Sequence, residues 1–295
     1  MVTRFAPAPD ASVGSVSVFQ TSLAVPRPHW AFFTRGLSDR GFELTLRVPR
    51  GPDELAPPAW ALSAFRELVA TACADAATTG NPPLSPAQVL TPGHPIASGA
   101  ASELASFAFV ADPALAAMFP AETPVVPLMA VGLTRDEERL VREWSPRGLL
   151  EILARADPLL LTDLDRSSLL QSPRARAAID QRVEREGSSM AAMWAARSEL
   201  QVVAGKATWR LASAAVETLS SLLKGRIGHQ RPFSVHAPGS TLVITPADVA
   251  GVSVDGQAAT LALSQTAARA LRAAVRGAPG RYPVDAVPGL TIEVV

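Results

Sequence analysis

The chain has 295 residues and a mass of 30.9 kDa, a length that fits about two domains. Hydrophobic residues make up 48% and charged residues 18%, which excludes intrinsic disorder, since that needs low hydrophobicity and high net charge. Formal net charge is zero, but residues 1–165 hold 12 Arg+Lys and 18 Asp+Glu, and residues 166–295 hold 15 and 9. The basic residues of the second half are dispersed, so no clustered basic face points to nucleic acid. Cys73 stands alone, which leaves no internal disulfide and no Cys-based zinc site. The four histidines are scattered, and none pairs with another at i,i+4. No N-terminal apolar region reads as a signal peptide, and no run of 18 apolar residues reads as a membrane span. The expectation is a soluble, cytoplasmic protein with no membrane partner. Arg outnumbers Lys 25 to 2, which hints at a GC-rich bacterial source.

The first half predicts mixed α and β structure. Ser15-Val-Ser-Val-Phe19 alternates with period two and suits a strand. Trp30–Thr34 and Phe42–Val48 are two more, joined by the short Gly36–Gly41 connection as a hairpin. In the second, Phe42, Leu44, Leu46 and Val48 fall on one face and Glu43, Thr45 and Arg47 on the other. That alternation predicts one covered side and one wet side. A helix opens after Pro57-Pro58, with Trp60, Ala64, Phe65, Leu68, Ala72 and Cys73 as its inward stripe; Gly80–Pro83 ends it. Glu103–Val110 and Val125–Val131 read as strands. Pro127 cannot donate to a ladder, so it predicts an edge or a bulge.

Thr134-Arg-Asp-Glu137 is a capping box that starts a helix reaching about Trp144. Ser145-Pro146 starts the next, with Leu149, Leu150 and Leu153 inward, and Asp157-Pro158 stops it. Leu159–Asp163 reads as a short buried strand. Ser172-Pro173 opens a thinly amphipathic helix carrying Ile179 and Val183. Gly187-Ser188 breaks it, and Met190, Met193 and Trp194 suggest a further amphipathic turn. Beyond that, Val216, Leu219, Leu222 and Leu223 mark a helix with Gly225 at its end. Leu242–Thr245 is a strand, and Asp255-Gly256 signals a hairpin between Val252–Val254 and Ala258–Leu263. Ser264 caps a last helix to Val275, and Leu290–Val295 is a closing strand.

No phosphate-binding glycine loop, dinucleotide fingerprint or nucleophile elbow is present. Asp163-Leu-Asp165-Arg166 is the densest acidic cluster at a strand end, and two carboxylates there can share a site or pair with the adjacent arginine. His94 lies in a Pro-Gly-His-Pro loop, a fair place for a general base, but no nucleophile or orienting partner accompanies it. Arg139, Arg142 and Arg147 with Glu137, Glu138 and Glu143 read as exposed helix-surface pairs.

The segments of the first half resemble the suppressor of fused family in content and order. They are His29-Trp30, Gly36-Leu-Ser-Asp39, Gly41-Phe-Glu-Leu-Thr-Leu-Arg47, Trp60, His94-Pro95-Ile96, Val131-Gly-Leu-Thr134, Trp144 with Gly148-Leu-Leu-Glu151, and Leu161-Thr-Asp163 with Arg166. The resemblance spans residues 14–170 and does not extend residue by residue into 171–295. It implies a mixed α/β domain without catalytic machinery. In animals the family includes a repressor that clasps Gli-type transcription factors, by pairing an extended peptide with sheet edges between two domains. Bacterial relatives are inferred to be immunity proteins that neutralise a cognate polymorphic toxin.

The reading is therefore an α/β (mixed α+β) protein: a suppressor-of-fused-like domain over 14–170, a helical connector over 171–200 and a smaller α+β domain over 201–295. Its function is expected to be non-enzymatic binding of a protein, with a cognate toxin first. A regulator or scaffold gripping an extended peptide comes second, and a hydrolase using Asp163, Asp165 or His94 last. No catalytic, cofactor-binding or metal-binding residue is assigned. Asp39, Asp163 and Asp165 are the expected partner-facing polar groups, and the strand edges near residues 125–131 and 159–163 the expected docking edges. The excess negative charge of the first half favours a basic partner.

Overall fold

A computed structural model gives the structure, describing residues 2–5, 15–20, 27–78, 84–92, 94, 96–97, 102–116, 125–195, 197–255, 258–275 and 277–295. The chain is mixed α+β and divides into two compact units, Met1–Arg139 with Pro146–Arg176, and Leu140–Ser145 with Ala177–Val295.

The first unit is built on one seven-stranded mixed sheet. Its strands are β1 (Val2–Phe5), β2 (Ser15–Gln20), β3 (His29–Arg35), β4 (Phe42–Pro49), β5 (Val89–Leu90), β6 (Leu104–Ala111) and β7 (Val126–Thr134). Their spatial order is β1-β2-β3-β4-β7-β6-β5. β4 and β7 pair in parallel and the other neighbours antiparallel. A parallel pair needs a long crossover, and the connection from β4 to β7 contains α1 (Ala59–Thr78). Phe42, Leu44, Leu46 and Val48 share one face of β4, as the alternation predicts, and pack with Phe32, Leu128 and the Ala61, Phe65 and Leu68 stripe of α1. Burying each such side chain contributes about 1.5–3 kcal/mol. Trp60, at the start of α1, is only half-buried.

The opposite face of β4 is not wet. Glu43, Thr45 and Arg47 are 3%, 3% and 7% exposed. The second layer is supplied by α4 (Pro146–Ala156), which buries Leu149, Leu150, Ile152 and Leu153 and packs against β6. The chain after it also contributes, where the Thr162 N–H donates to the Arg47 carbonyl at 2.8 Å. Period-two alternation reports which face is polar; whether another layer covers that face depends on long-range packing.

Two further expectations are corrected. Residues 159–163 form no strand: Leu160, Leu161 and Thr162 are buried, but in an irregular segment with Leu160 at φ 51°. Pro127 lies in β7, between β4 and β6, and is not at a sheet edge. It is tolerated because its missing N–H would point toward β6 where that strand ends. The Asp112 N–H still donates to the Pro127 carbonyl at 2.7 Å, and then the chain leaves for α2 (Pro113–Ala116). A proline at the first rungs of a strand costs the ladder little.

Among its described residues, the second unit has two sheets and three α-helices that begin in or extend through it. β9 (Ser198–Val203), β10 (Lys206–Leu211), β15 (Gly280–Pro283) and β16 (Leu290–Val294) form one sheet, ordered β15-β16-β10-β9. β8 (Ala192–Trp194), β11 (Phe233–Ala237), β12 (Ser240–Pro246), β13 (Gly251–Asp255) and β14 (Ala258–Leu263) form the other, ordered β13-β14-β12-β11-β8. The residues 190–194, expected to make a helical turn, instead supply strand β8, with Met193 inward between exposed Ala192 and Trp194. Pro173–Glu186 is α5, Ser213–Gly225 α6 and Gln265–Ala274 α7. Ser264 caps α7, its hydroxyl accepting the Ala267 N–H at 3.1 Å. One core joins Trp209 and Ile292 of the first sheet, Val235, Ile244 and Leu261 of the second, and Leu219, Leu222 and Leu271 of the helices. The Asp255-Gly256 hairpin is present as the β13–β14 pair; its turn residues 256–257, like the Gly80–Pro83 helix end, lie outside the described residues.

The turn after α5 approaches α6 closely at two glycines. Gly187 has φ 63°, and a Cβ there would sit 2.4 Å from the Gly225 carbonyl oxygen and 2.6 Å from the His229 ring; a Cβ on Gly225 would sit 2.7 Å from Ser188. Gly187→Ala therefore combines left-handed strain of about 1–2 kcal/mol with a backbone clash. The expected outcome in denaturant unfolding is a loss of stability of more than about 2 kcal/mol, against only the strain of about 1–2 kcal/mol for Gly239→Ala, whose φ is 73° but whose Cβ meets nothing within 4 Å.

Candidate partner-binding site

The three expected partner-facing acids do not converge. Asp39 is exposed in the short helical turn Ser38–Arg40, before β4 begins. Asp163 and Asp165 follow Thr162, which is hydrogen-bonded to Arg47 near the far end of β4. At about 3.3 Å per residue, six residues of β4 put the two places roughly 20 Å apart along the strand. Asp163 accepts the Asp165 N–H at 3.1 Å and lies 3.9 Å from Arg27, and Asp165 is exposed. Arg166 does not pair with these acids. His94 is engaged with Glu67 of α1 at 2.7 Å. Among the described residues, no three His, Cys, Asp or Glu are grouped to hold a metal ion, and no helix is long and apolar enough to cross a membrane.

The acids that the fold does organise are buried ones. Glu137 opens α3 (Arg135–Glu143) and was expected on its surface, but it is 0% exposed. Its carboxylate accepts the Thr134 N–H at 3.0 Å, as a capping box requires, and also the Leu169 N–H at 2.8 Å and both terminal nitrogens of Arg166. Arg166 donates in addition to the Gly132 carbonyl. Glu43 accepts from the Gly36 and Leu37 N–H groups, each at 3.0 Å, and from the Ser38 and Thr34 hydroxyls. Asp112, not among the expected site residues, accepts from Arg47, the Thr45 hydroxyl and the Ala114 and Leu115 N–H groups. Its signal was Asp-Pro, an N-cap residue followed by a proline at the first helical position.

A free sheet edge is present in the second unit. β9 is outermost in its sheet and joined to β10 by Ala204-Gly205, at φ 49° and 76°, a two-residue turn with both residues left-handed. Val203 and Lys206 close that turn, and pairing then alternates along the ladder. Val203, Gln201 and Glu199 therefore bond inward to β10, while Val202, Leu200 and Ser198 point their N–H and C=O groups outward. The Ser198 carbonyl takes the Ser240 hydroxyl at 3.3 Å. Leu200 and Val202 have no outward partner among the described residues, and beside them Val202 and Val203 are 45% and 70% exposed. The strand SELQVV carries one charge, Glu199.

This fold has counterparts among known proteins. The chain is similar to the crystal structure of Drosophila Suppressor of Fused, with a TM-score of 0.74 and 18% identity, covering 96% of this chain and 89% of that one. It is also similar to the suppressor of fused homologs of Homo sapiens and Mus musculus. Identity to each is 26%, over 208 and 196 residues, which is 59% and 55% of this chain but 40% and 37% of theirs. The similar region spans about two fifths of those relatives' length. Residues 15–167 match the suppressor of fused protein family, over half of the chain, and the chain belongs to that family.

One of the family's aromatic positions anchors a charge cluster in the second unit. Trp144 is fully buried, donates from Nε1 to Glu186 at 3.2 Å and lies 5.0 Å beneath the Arg182 guanidinium. The hydrogen bond from Arg182 is the largest influence holding the Glu186 carboxyl down at about 2. Partial burial opposes it, and Arg185 and Trp144 add to the lowering. A carboxyl depressed by folding stabilises above its ordinary range, near 4.5, and that contribution is lost as pH falls from there toward 2. Glu186→Gln should remove this acid-limb dependence. The check is thermal unfolding from pH 6 to pH 2.5: the gap between wild type and variant should narrow steadily below about pH 4.5.

Proposed function

We propose that this protein is a non-enzymatic binding module that sequesters a protein partner by adding an extended segment of it to the β9 edge. The observation that carries this is the outward, unpaired backbone of Leu200 and Val202 beside exposed Val202 and Val203. Main-chain bonds to such an edge supply affinity, and alternate side chains supply specificity. The family resemblance supports the same mode, since it implies a clasp on an extended peptide. A cognate toxin in the producing cell is the partner this reading places first; a regulated, non-toxin protein is the second. Exposed Asp39 and Asp165 and half-buried Asp163 stand in this reading as groups that tune association with a basic partner, and their separation along β4 argues for long-range attraction over a shared contact.

The test begins with capture of the partner from the native host and its identification by mass spectrometry; a toxin encoded beside this gene supports immunity over regulation. Val202→Pro then removes an outward N–H without touching the β9–β10 ladder. Leaving one carbonyl of the partner strand unsatisfied costs about 1–3 kcal/mol, so affinity should fall roughly 5- to 100-fold while the melting temperature changes little. Gln201→Pro, which breaks an inward bond, should instead destabilise the protein. Unchanged affinity in a folded Val202→Pro variant would move the docking edge elsewhere.

A further inference from the structure

The face of the first unit's sheet that carries Arg47 has an apolar pocket with a polar floor. Phe19, Ala31 and Arg47 stand in one registered row across β2, β3 and β4, and Ser17, Phe33 and Thr45 in the next. Phe19, Ala31, Phe33, Thr45 and Arg47, with His29, Leu115 of α2 and Leu159, line an open pocket of about 450 Å³, within the range that takes small molecules. Phe19, at 43% exposure, stands at the mouth. The Arg47 and Asp112 side chains, 9% and 1% exposed, lie at the floor.

The hydrogen-bond inventory of that floor is unbalanced in one direction. Asp112 receives four donors, Arg47, Ala114 and Leu115 at Oδ1 and the Thr45 hydroxyl at Oδ2. Arg47 has five N–H donors. It spends them on Asp112 and, at 3.4 Å, on the Leu159 carbonyl, with no other acceptor among the described residues. Its charge is already balanced by Asp112, so an anion entering the pocket would meet that carboxylate and a cation would meet the guanidinium. Among the described residues, the floor offers no uncharged acceptor besides the Leu159 carbonyl for the remaining Arg47 N–H groups.

We propose that the first unit binds a small uncharged molecule with an apolar body and a carbonyl oxygen. The body lies between Phe19, Phe33, Leu115 and Leu159, and the oxygen accepts from Arg47. This site is separate from the β9 edge and does not depend on it.

The probe is 2-octanone, with octylammonium and octanoate as charged counterparts, measured by ligand-observed NMR and by thermal unfolding of the full chain. The ketone should bind saturably and raise the melting temperature with the logarithm of its concentration, while octylammonium should leave it unchanged and octanoate should bind more weakly than the ketone. Ala31→Phe fills the pocket from its wall and should weaken ketone binding at least about tenfold. Leu115→Trp fills it from α2 and serves if the first variant does not fold. Val202→Pro should bind the ketone as wild type does, which separates failure here from failure of the edge. No saturable binding of the ketone, equal binding by a folded pocket-filled variant, or octylammonium binding as tightly as the ketone would each overturn the proposal.

Discussion

A central strand covered on both faces must find a partner for every polar atom it buries, because an orphaned one costs about 1–3 kcal/mol. β4 carries three polar side chains on its covered inner face, Glu43, Thr45 and Arg47. Each dictates the course of a distant piece of chain. Glu43 gathers the Gly36 and Leu37 N–H groups and the Ser38 hydroxyl, and so fixes the loop between β3 and β4. Thr45 and Arg47 share Asp112, which fixes where β6 ends and α2 begins. A network of this kind specifies one arrangement, since any shift breaks several of its bonds at once.

That constraint explains both what was legible in the sequence and what was not. The Gly36–Asp39 and Gly41–Arg47 segments stood out as a family pattern, and the structure supplies their chemistry: the first segment donates to the carboxylate of the second. The alternation in Phe42–Val48 sorts its faces, yet polarity there does not mean exposure, because the covering layer, α4 and residues 157–164, begins 98 residues beyond Val48 in sequence. Glu137 was hidden for the same reason. Its capping role was readable from Thr134 three residues before it, but Arg166, its buried partner, is 29 residues on. Pro127 misled because a proline excludes one hydrogen bond, on one side only, and β6 had already ended on that side. In the second unit the helices were legible from their caps and apolar stripes, whereas β9 was not: Ser198–Val203 has neither strict alternation nor a strong turn dipeptide.

Edge strands are where a sheet protein either guards itself or binds, and the available edges here are guarded unequally. Guards include shortness, proline and charge. β5 has two residues and β8 three. β15 has four, among them Arg281 and a terminal Pro283. β13 is one residue shorter than β9, begins with glycine and ends at Asp255. β9 has six residues, no proline or lysine and one carboxylate. It is also held firmly from behind, by the ladder to β10 and by Trp209, fully buried, whose Nε1 donates to the Ser198 hydroxyl at 2.9 Å. A rigid, unguarded edge loses little conformational entropy when a second strand joins it. That is the physical ground for preferring β9 as the docking edge over the first-unit strands that sequence alone suggested, one of which is interior and the other no strand at all.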